Sequence, residues 1–298
     1  MEQDGTVALR DLDGTEHTAV RRILETSEYT YSRFAPEDLP ELLSTLPATG
    51  AFSHPPGTLG RMTGGSLRAF LLINWLVPPS AWIGGFGVTW SEGRHFGDYL
   101  DLLLPHVGQQ VYENGARTLY YSGNDYDGDW LRAHLQTRDF KLVALLRSYD
   151  KDDSRIPTEG NQRVRVRPFV PADVEGVLAV ENAAFAQLWR HSAANFLAIG
   201  QSHPYFVVAE DETGIVGYQF SATDATTGYL IRIAVHPRAE GQGVGAQLMA
   251  EAVRFFHRSG VSKIVLNTDE TNTRAHNLYE RFGFHQVFPH GFVLGWDL

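Results

Sequence analysis

Residues 229–256 read YLIRIAV, then HPRAEGQGVGAQ, then LMAEAVRFF. The first piece is apolar and β-branched apart from Arg232, which predicts a buried strand. In the third piece apolar residues recur at helical spacing, which predicts an amphipathic helix beginning inside the middle piece. In the middle, Gly241, Gly243 and Gly245 alternate with Gln242 and Val244. That spacing lets successive backbone N–H groups converge as an anion-binding nest at the positive end of the helix. The stretch therefore predicts a strand that delivers a phosphate-bearing ligand to a glycine loop.

Working outward, RVRVRPF predicts a strand and PADVEGVLAVENAAF a helix, with Pro171 placed where a helix can begin. YFVVAE and IVGYQFSA flank the turn DETG as a hairpin. After the glycine loop and its helix come a strand, KIVLNT, a helix, TRAHNLYERF, and a final strand, FVLGWDL. The first half has the same plan. TVALRDL is a strand and EHTAVRRILETSE a helix, followed by a proline-punctuated helix and loop over Ala35 to Pro55. Strands at Ser66–Leu76 and Ala81–Trp90 precede the helix DYLDLLLPHVGQQVYENGA. A strand at Thr118–Ser122, a helix at Trp130–Thr137 and the strand LVALLRSY close the half.

The repeat extends to residues. SEGRHFG at 91–97 aligns with AEGQGVG at 239–245, an offset of 148 (239 minus 91), and Arg-Ala-His occurs at 132–134 and again at 274–276. Self-similarity with matching element order predicts two copies of one domain, residues 1–150 and 163–298. The polar segment 151–162 reads as the linker. Where the second copy has Gly243 the first has His95, so the first is expected to keep the fold and lose the phosphate loop.

The composition narrows the function. A chain of 298 residues, 43% hydrophobic and 20% charged, is a globular protein with material for two cores. A formal charge of -10 argues against nucleic-acid binding and is compatible with a cationic or neutral small substrate. With no cysteine there is neither a disulfide nor a thiolate metal site, and nothing calls for a metal. The start, MEQDGTVALRDLDG, lacks the apolar core of a signal peptide. The uncharged run Ala69–Val88 is interrupted by Asn74 and by Pro78-Pro79, so two strands joined by a Pro-Pro turn explain it better than a membrane span. A cytoplasmic location is expected.

Gly241-x-Gly243-x-x-Ala246 satisfies the dinucleotide fingerprint in form. However, five residues separate strand from glycine, and the roughly fifty that follow cannot supply another three-strand half. The phosphate-loop Gly-Lys-Ser/Thr is missing. Instead, Val235-His236-Pro237, then Glu240-Gly241-Gln242-Gly243-Val244-Gly245, then Asn272, Tyr279 and Phe282-Gly283-Phe284 resemble the GNAT family of acyl-CoA-dependent N-acyltransferases. The likeness covers Val164 to Leu298, and the first half by architecture. The tandem arrangement is similar to that of the mycothiol synthases. Glu240 departs from the Arg or Gln usual at its place; Arg238 is the neighbouring source of positive charge.

The resemblance implies an α/β (α+β sandwich) fold: two tandem domains, each a mixed, mainly antiparallel sheet flanked by helices, the second catalytic. It implies acetyl-CoA as co-substrate and direct transfer of an acetyl, or other short acyl, group to a primary amine of a small molecule or peptide. The backbone of Ile233, Ala234 and Val235 is then expected to meet the pantetheine arm. The loop Gly241, Gln242, Gly243, Val244, Gly245 and Ala246 would take the pyrophosphate. Asn272 is expected at the cofactor, with a helix N-cap as its other role. Tyr279 is the expected general acid to the leaving thiolate, against a plain core tyrosine. For the base, Glu181 is the leading candidate, beside Asp224, Asp269 and a water chain. Arg232, Trp189 and His191 are candidates for the acceptor cleft. A non-catalytic acyl-CoA sensor and, more remotely, a nicotinamide-dependent oxidoreductase are the rival functions. The oligomeric state and the acceptor amine are not encoded in any motif.

Overall fold

The computed structural model describes residues 7–12, 14–34, 39–44 and 59–298. The chain divides into two compact units. The first holds Met1–Ser122, Trp130–Val143 and Val293–Leu298; the second holds Gly123–Asp129 and Ala144–Phe292.

The first unit contains β1 (Val7–Asp11), α1 (His17–Thr26), β2 (Thr30–Ser32), α2 (Leu39–Ser44), β3 (Leu59–Thr63), β4 (Ser66–Val77), β5 (Ser80–Val88), α3 (Phe96–Glu113), β6 (Thr118–Gly123) as far as Ser122, and α4 (Trp130–Gln136). Residues 35–38 and 45–55 of the expected proline-punctuated segment lie outside the described residues. The run that imitated a membrane span is the β4–β5 hairpin, turning at Pro78-Pro79. Among the described residues no helix is long and apolar enough to cross a membrane. The sheet runs β1-β3-β4-β5-β6, antiparallel until β5 meets β6 in parallel, with β2 antiparallel on β5. Val20 and Ile23 of α1, with Leu39 and Leu43 of α2, pack on Phe70 and Leu72 of β4.

The second unit contains β7 (Lys141–Lys151) from Ala144 onward, β8 (Arg165–Pro168), α5 (Val174–Ala184), α6 (Ala193–Ser202), β9 (Tyr205–Asp211), β10 (Gly214–Thr223), β11 (Thr227–Val235), α7 (Val244–Arg258), β12 (Lys263–Asp269), α8 (Thr273–Arg281) and β13 (His285–Asp297) as far as Phe292. Its sheet runs β7-β12-β11-β10-β9-β8; β11 and β12 are parallel and the other neighbours antiparallel. Val177, Val180 and Phe196 of α5 and α6 pack on Val208, Tyr218 and Phe220. On the other face Met249, Val253 and Phe256 of α7 and Tyr279 of α8 pack on Leu230, Ile264 and Leu266. Residues 158–164 lie along α7: the Asn161 N–H donates to the Gly243 carbonyl at 3.2 Å, and Gln247 Nε2 to the Val164 carbonyl at 2.8 Å.

Two irregularities in β11 prepare the site. Among the described residues it pairs with β12 at Thr227–Tyr229 against Lys263–Val265, and beyond that the strands part. Its register on β10 also steps from Phe220↔Arg232 to Ser221↔Leu230, leaving Ile231 as an extra, bulged residue. The bulge breaks the two-residue alternation of a regular strand. Arg232 keeps Ala234 on its face, but Leu230 turns to the α7 side.

Candidate active site

Past its last pair with β12, at Tyr229, β11 continues to Val235 and then enters the loop. Gly241 has φ 72° and Gly243 φ 82°, left-handed conformations that residues with a β-carbon rarely adopt. Gly243 is the N-cap of α7, and the first intrahelical bond runs from the Gln247 N–H to the Gly243 carbonyl at 3.1 Å. The N–H groups of Val244, Gly245 and Ala246 are thus the orphan donors of a positive helix end. Gly245 faces Val235 and Leu278, each about one van der Waals contact from where its β-carbon would be.

The His236 N–H donates to the Val216 carbonyl at 2.8 Å, which fixes the alternation of β11. Ala234 and Arg232 turn their backbone groups toward β10, whereas Val235 and Ile233 turn theirs into the opening beside β12. An extended polyamide arm can pair there, and a diphosphate can meet the loop donors at its end. The residues present fit an acyl-CoA.

Glu240, the departure from the family pattern, has its carboxylate bonded to Arg274 in the first turn of α8. Arg238 is engaged elsewhere, donating to Thr213 Oγ1 with Asp211 3.9 Å away. The cation beside Glu240 is therefore Arg274. The repeated Arg-Ala-His triplet was the only sequence sign of that position.

Asn272 caps α8, its Oδ1 accepting the Ala275 N–H at 3.1 Å, while its Nδ2 donates to Thr268 Oγ1 at 3.3 Å. Tyr279 is 4% exposed in the α7–α8 core, with the Tyr149 ring edge-on at 5.7 Å. Burial pushes its phenol well above the ordinary tyrosine value, and a hydrogen bond with Thr268 opposes that only in part. Behind it, the Tyr149 hydroxyl and His276 Nδ1 are hydrogen-bonded at 2.8 Å, and His276 Nε2 donates to the Glu270 carbonyl at 3.0 Å.

On the other face, Glu181 is 0% exposed. It accepts from the Tyr218 hydroxyl, from Arg232 Nη2 at 2.7 Å and from the His191 backbone N–H at 2.8 Å. Arg232 also donates to the Trp189 carbonyl at 2.6 Å and lies 3.7 Å over the Phe185 ring. Burial, and then the charge of Arg232, push the His191 imidazole down to about 3, so it is neutral. The structure thus brings Glu181, Arg232, Trp189 and His191 together beside the bulge. Asp224 and Asp269 lie apart from them, each forming a turn: Asp224 accepts the Thr227 N–H at 2.7 Å and Asp269 the Thr271 N–H at 2.8 Å.

A model of the acetyltransferase (GNAT) family matches residues 175–284. The match lies within the second unit, and the chain as a whole has the tandem-GNAT fold. A mycothiol acetyltransferase from Pseudarthrobacter chlorophenolicus is 32% identical over 136 residues, 41% of this chain and 42% of that protein. One from Renibacterium salmoninarum is 30% identical over 157 residues, 48% and 45% of the two chains. The chain thus spans a little under half the length of these relatives. A tandem GNAT protein from the clavulanic acid biosynthesis pathway superposes with a TM-score of 0.64 at 13% identity, covering 98% of both chains. A GCN5-related N-acetyltransferase from Sphaerobacter thermophilus does so with a TM-score of 0.65 at 16% identity, covering 98% of this chain and 95% of that one. At such identities the likeness concerns the fold.

Proposed function

We propose that the protein moves an acetyl, or other short acyl, group from acyl-CoA to a primary amine by direct attack, with the second unit as the catalytic one. The observation that carries this reading is the opening between β11 and β12, which ends on the donors of Val244, Gly245 and Ala246. Acyl-CoA supplies the thioester and the thiolate that leaves. The chain's own groups do the rest. The loop donors and the backbone of Ile233 and Val235 bind and orient, and Asn272 holds the first turn of α8 in place.

Tyr279 is the proposed general acid; a phenol whose pKa is raised by burial keeps its proton for the thiolate. Glu181 is already bonded by three donors, and this geometry supports a positioning role in which it fixes Arg232 and the Trp189–His191 turn on the acceptor side. As the base itself, Glu181 would have to exchange one of those donors for the amine. A small amine resembling the acceptors of the mycothiol acetyltransferase relatives is one candidate substrate class. Calorimetry with acetyl-CoA tests the reading: Gly243→Trp should remove binding, and unchanged affinity in that variant would sink it.

The burial of Tyr279 and Glu181 favours a second reading, an acyl-CoA-binding module without turnover. Thiol release with a panel of amines separates the two. Release above the hydrolysis background supports the transferase, and tight binding with no release supports the sensor.

A further inference from the structure

The first unit repeats the opening. β5 and β6 pair in parallel at Ser80–Trp82 against Thr118–Tyr120 and then part, as β11 and β12 do. Aligning the two parallel registers puts Phe86 and Val88 where Ile233 and Val235 stand. In the second unit those residues offer their backbone to the opening. In the first, the corresponding edge is already paired: Thr30, Tyr31 and Ser32 lie antiparallel against Gly87, Phe86 and Gly85. The Val88 N–H donates to the Tyr29 carbonyl at 3.2 Å and the Arg33 N–H to the Gly84 carbonyl at 2.9 Å, extending the ladder at both ends.

Side chains close the rest. The Tyr31 hydroxyl crosses to the other lip and donates to the Ser122 carbonyl at 2.8 Å, its ring 4.7 Å from Tyr121. The Tyr29 ring covers the loop so closely that a β-carbon on Gly93 would lie 2.6 Å from it. Gly93 corresponds to Gly241 at the offset of 148. Tyr29 also stacks on Phe96, the counterpart of Val244, at 5.3 Å, and meets Trp130 edge-on at 6.0 Å. Trp130 corresponds to Asn272 at the triplet's offset of 142 (274 minus 132). The loop has lost its nest as well, since His95 sits at φ −109° where Gly243 has 82°.

We propose that residues 29–33 are the resident occupant of the first unit's cofactor cleft, so that the chain takes up one acyl-CoA and not two. The strand supplies the backbone partners that a pantetheine arm would supply, and Tyr29 takes the ground of the diphosphate. The number one rests on the acyl-CoA reading of the second unit; the occupancy of the first cleft does not.

Calorimetry with acetyl-CoA and hydrogen exchange of the intact chain, with and without acetyl-CoA, test this together. One site per chain is expected, with protection gained at 231–246 only and the 27–33 peptide protected equally in both conditions. Two sites, protection gained at 84–96, or protection lost at 27–33 on adding ligand would each overturn the proposal. If nothing binds, the acyltransferase reading fails, and the ligand-free exchange of 27–33 still decides the occupancy. Slow exchange supports it, and exchange as fast as an unfolded segment overturns it. Tyr31→Phe, which removes the clasp to Ser122, should speed exchange of 27–33 by roughly fivefold, the worth of one ordinary hydrogen bond, and leave 231–246 unchanged. No acceleration would count against the clasp and against a closed cleft.

Discussion

The parallel pairs β5/β6 and β11/β12 hold together over three residues each and then separate, yet one opening is filled by a strand of its own unit and the other is lined by backbone turned toward it. Each backbone polar group left unpaired away from water costs about 1–3 kcal/mol. A cleft that no longer meets a ligand is therefore a liability, and pairing its edge with β2 removes that cost. The same comparison separates the fold from the site. Both units keep the strand–loop–helix, but two positive φ values survive in the second loop and His95 has ended the nest in the first.

The comparison can be broken most sharply at its two matched loop positions. Gly243→Trp should weaken acetyl-CoA binding by roughly 100-fold or more, because the variant must hold a strained backbone and its side chain runs into Gly160 and Asn161, which displaces the loop. His95→Gly should leave affinity and stoichiometry as they are, since Tyr29 still covers its loop. Calorimetry on both variants checks the pair, and a new site in His95→Gly would refute it.

Next comes the α8 tyrosine. Tyr279→Phe is expected to lower kcat by about 100-fold with little change in KM for acetyl-CoA. Thr137, the counterpart just past the end of α4, should be silent when changed to alanine. Because burial raises the Tyr279 phenol, the wild-type rate should not fall through its ionisation as the assay passes about pH 10, where an ordinary tyrosine titrates.

A smaller effect is expected at Asp173. Its carboxylate accepts from Arg167 at 2.7 Å and 2.8 Å and from the Val170 N–H at 2.9 Å, and the Arg167 bond holds its pKa below the ordinary aspartate value. A depressed folded pKa contributes stability that is present above the unfolded value and is lost as pH falls through the folded one. Asp173→Asn should therefore cost about 2 kcal/mol in urea unfolding at neutral pH, and less with each step of acidification below the ordinary aspartate range. An equal cost at all pH values would disprove the charge argument. The smallest change is Asn272→Ala, which removes the α8 cap for about 1 kcal/mol of stability; thermal unfolding measures it.

The fold class was legible because long periodic segments and a repeated glycine loop carry it, and the β4–β5 hairpin was readable from Pro78-Pro79. β2 was not. Three residues, Thr30–Ser32, have no period to detect, and their partners lie more than fifty residues away. The bulge at Ile231 was equally hidden, since alternation within one strand says nothing about how its neighbour counts. Glu181 did carry a signal. It shares a helical face with Val177 and Val180, which are buried, so its spacing pointed inward to a carboxylate needing partners. Those partners, Tyr218 and Arg232, come from strands 37 and 51 residues away, distances that only the tertiary fold closes.

The allotment of Val293–Leu298 to the first unit bears on how the protein is made. Trp296 lies against α3 at Gly108, and the Leu298 N–H donates to the Arg117 carbonyl at 2.9 Å. The first unit emerges first from the ribosome but cannot finish until its last six residues arrive, about 150 positions after Val143. At about 5–20 residues per second that is a wait on the order of ten seconds or more. During that wait the face of α3 at Gly108 lacks the Trp296 and Leu298 side chains that cover it in the finished fold.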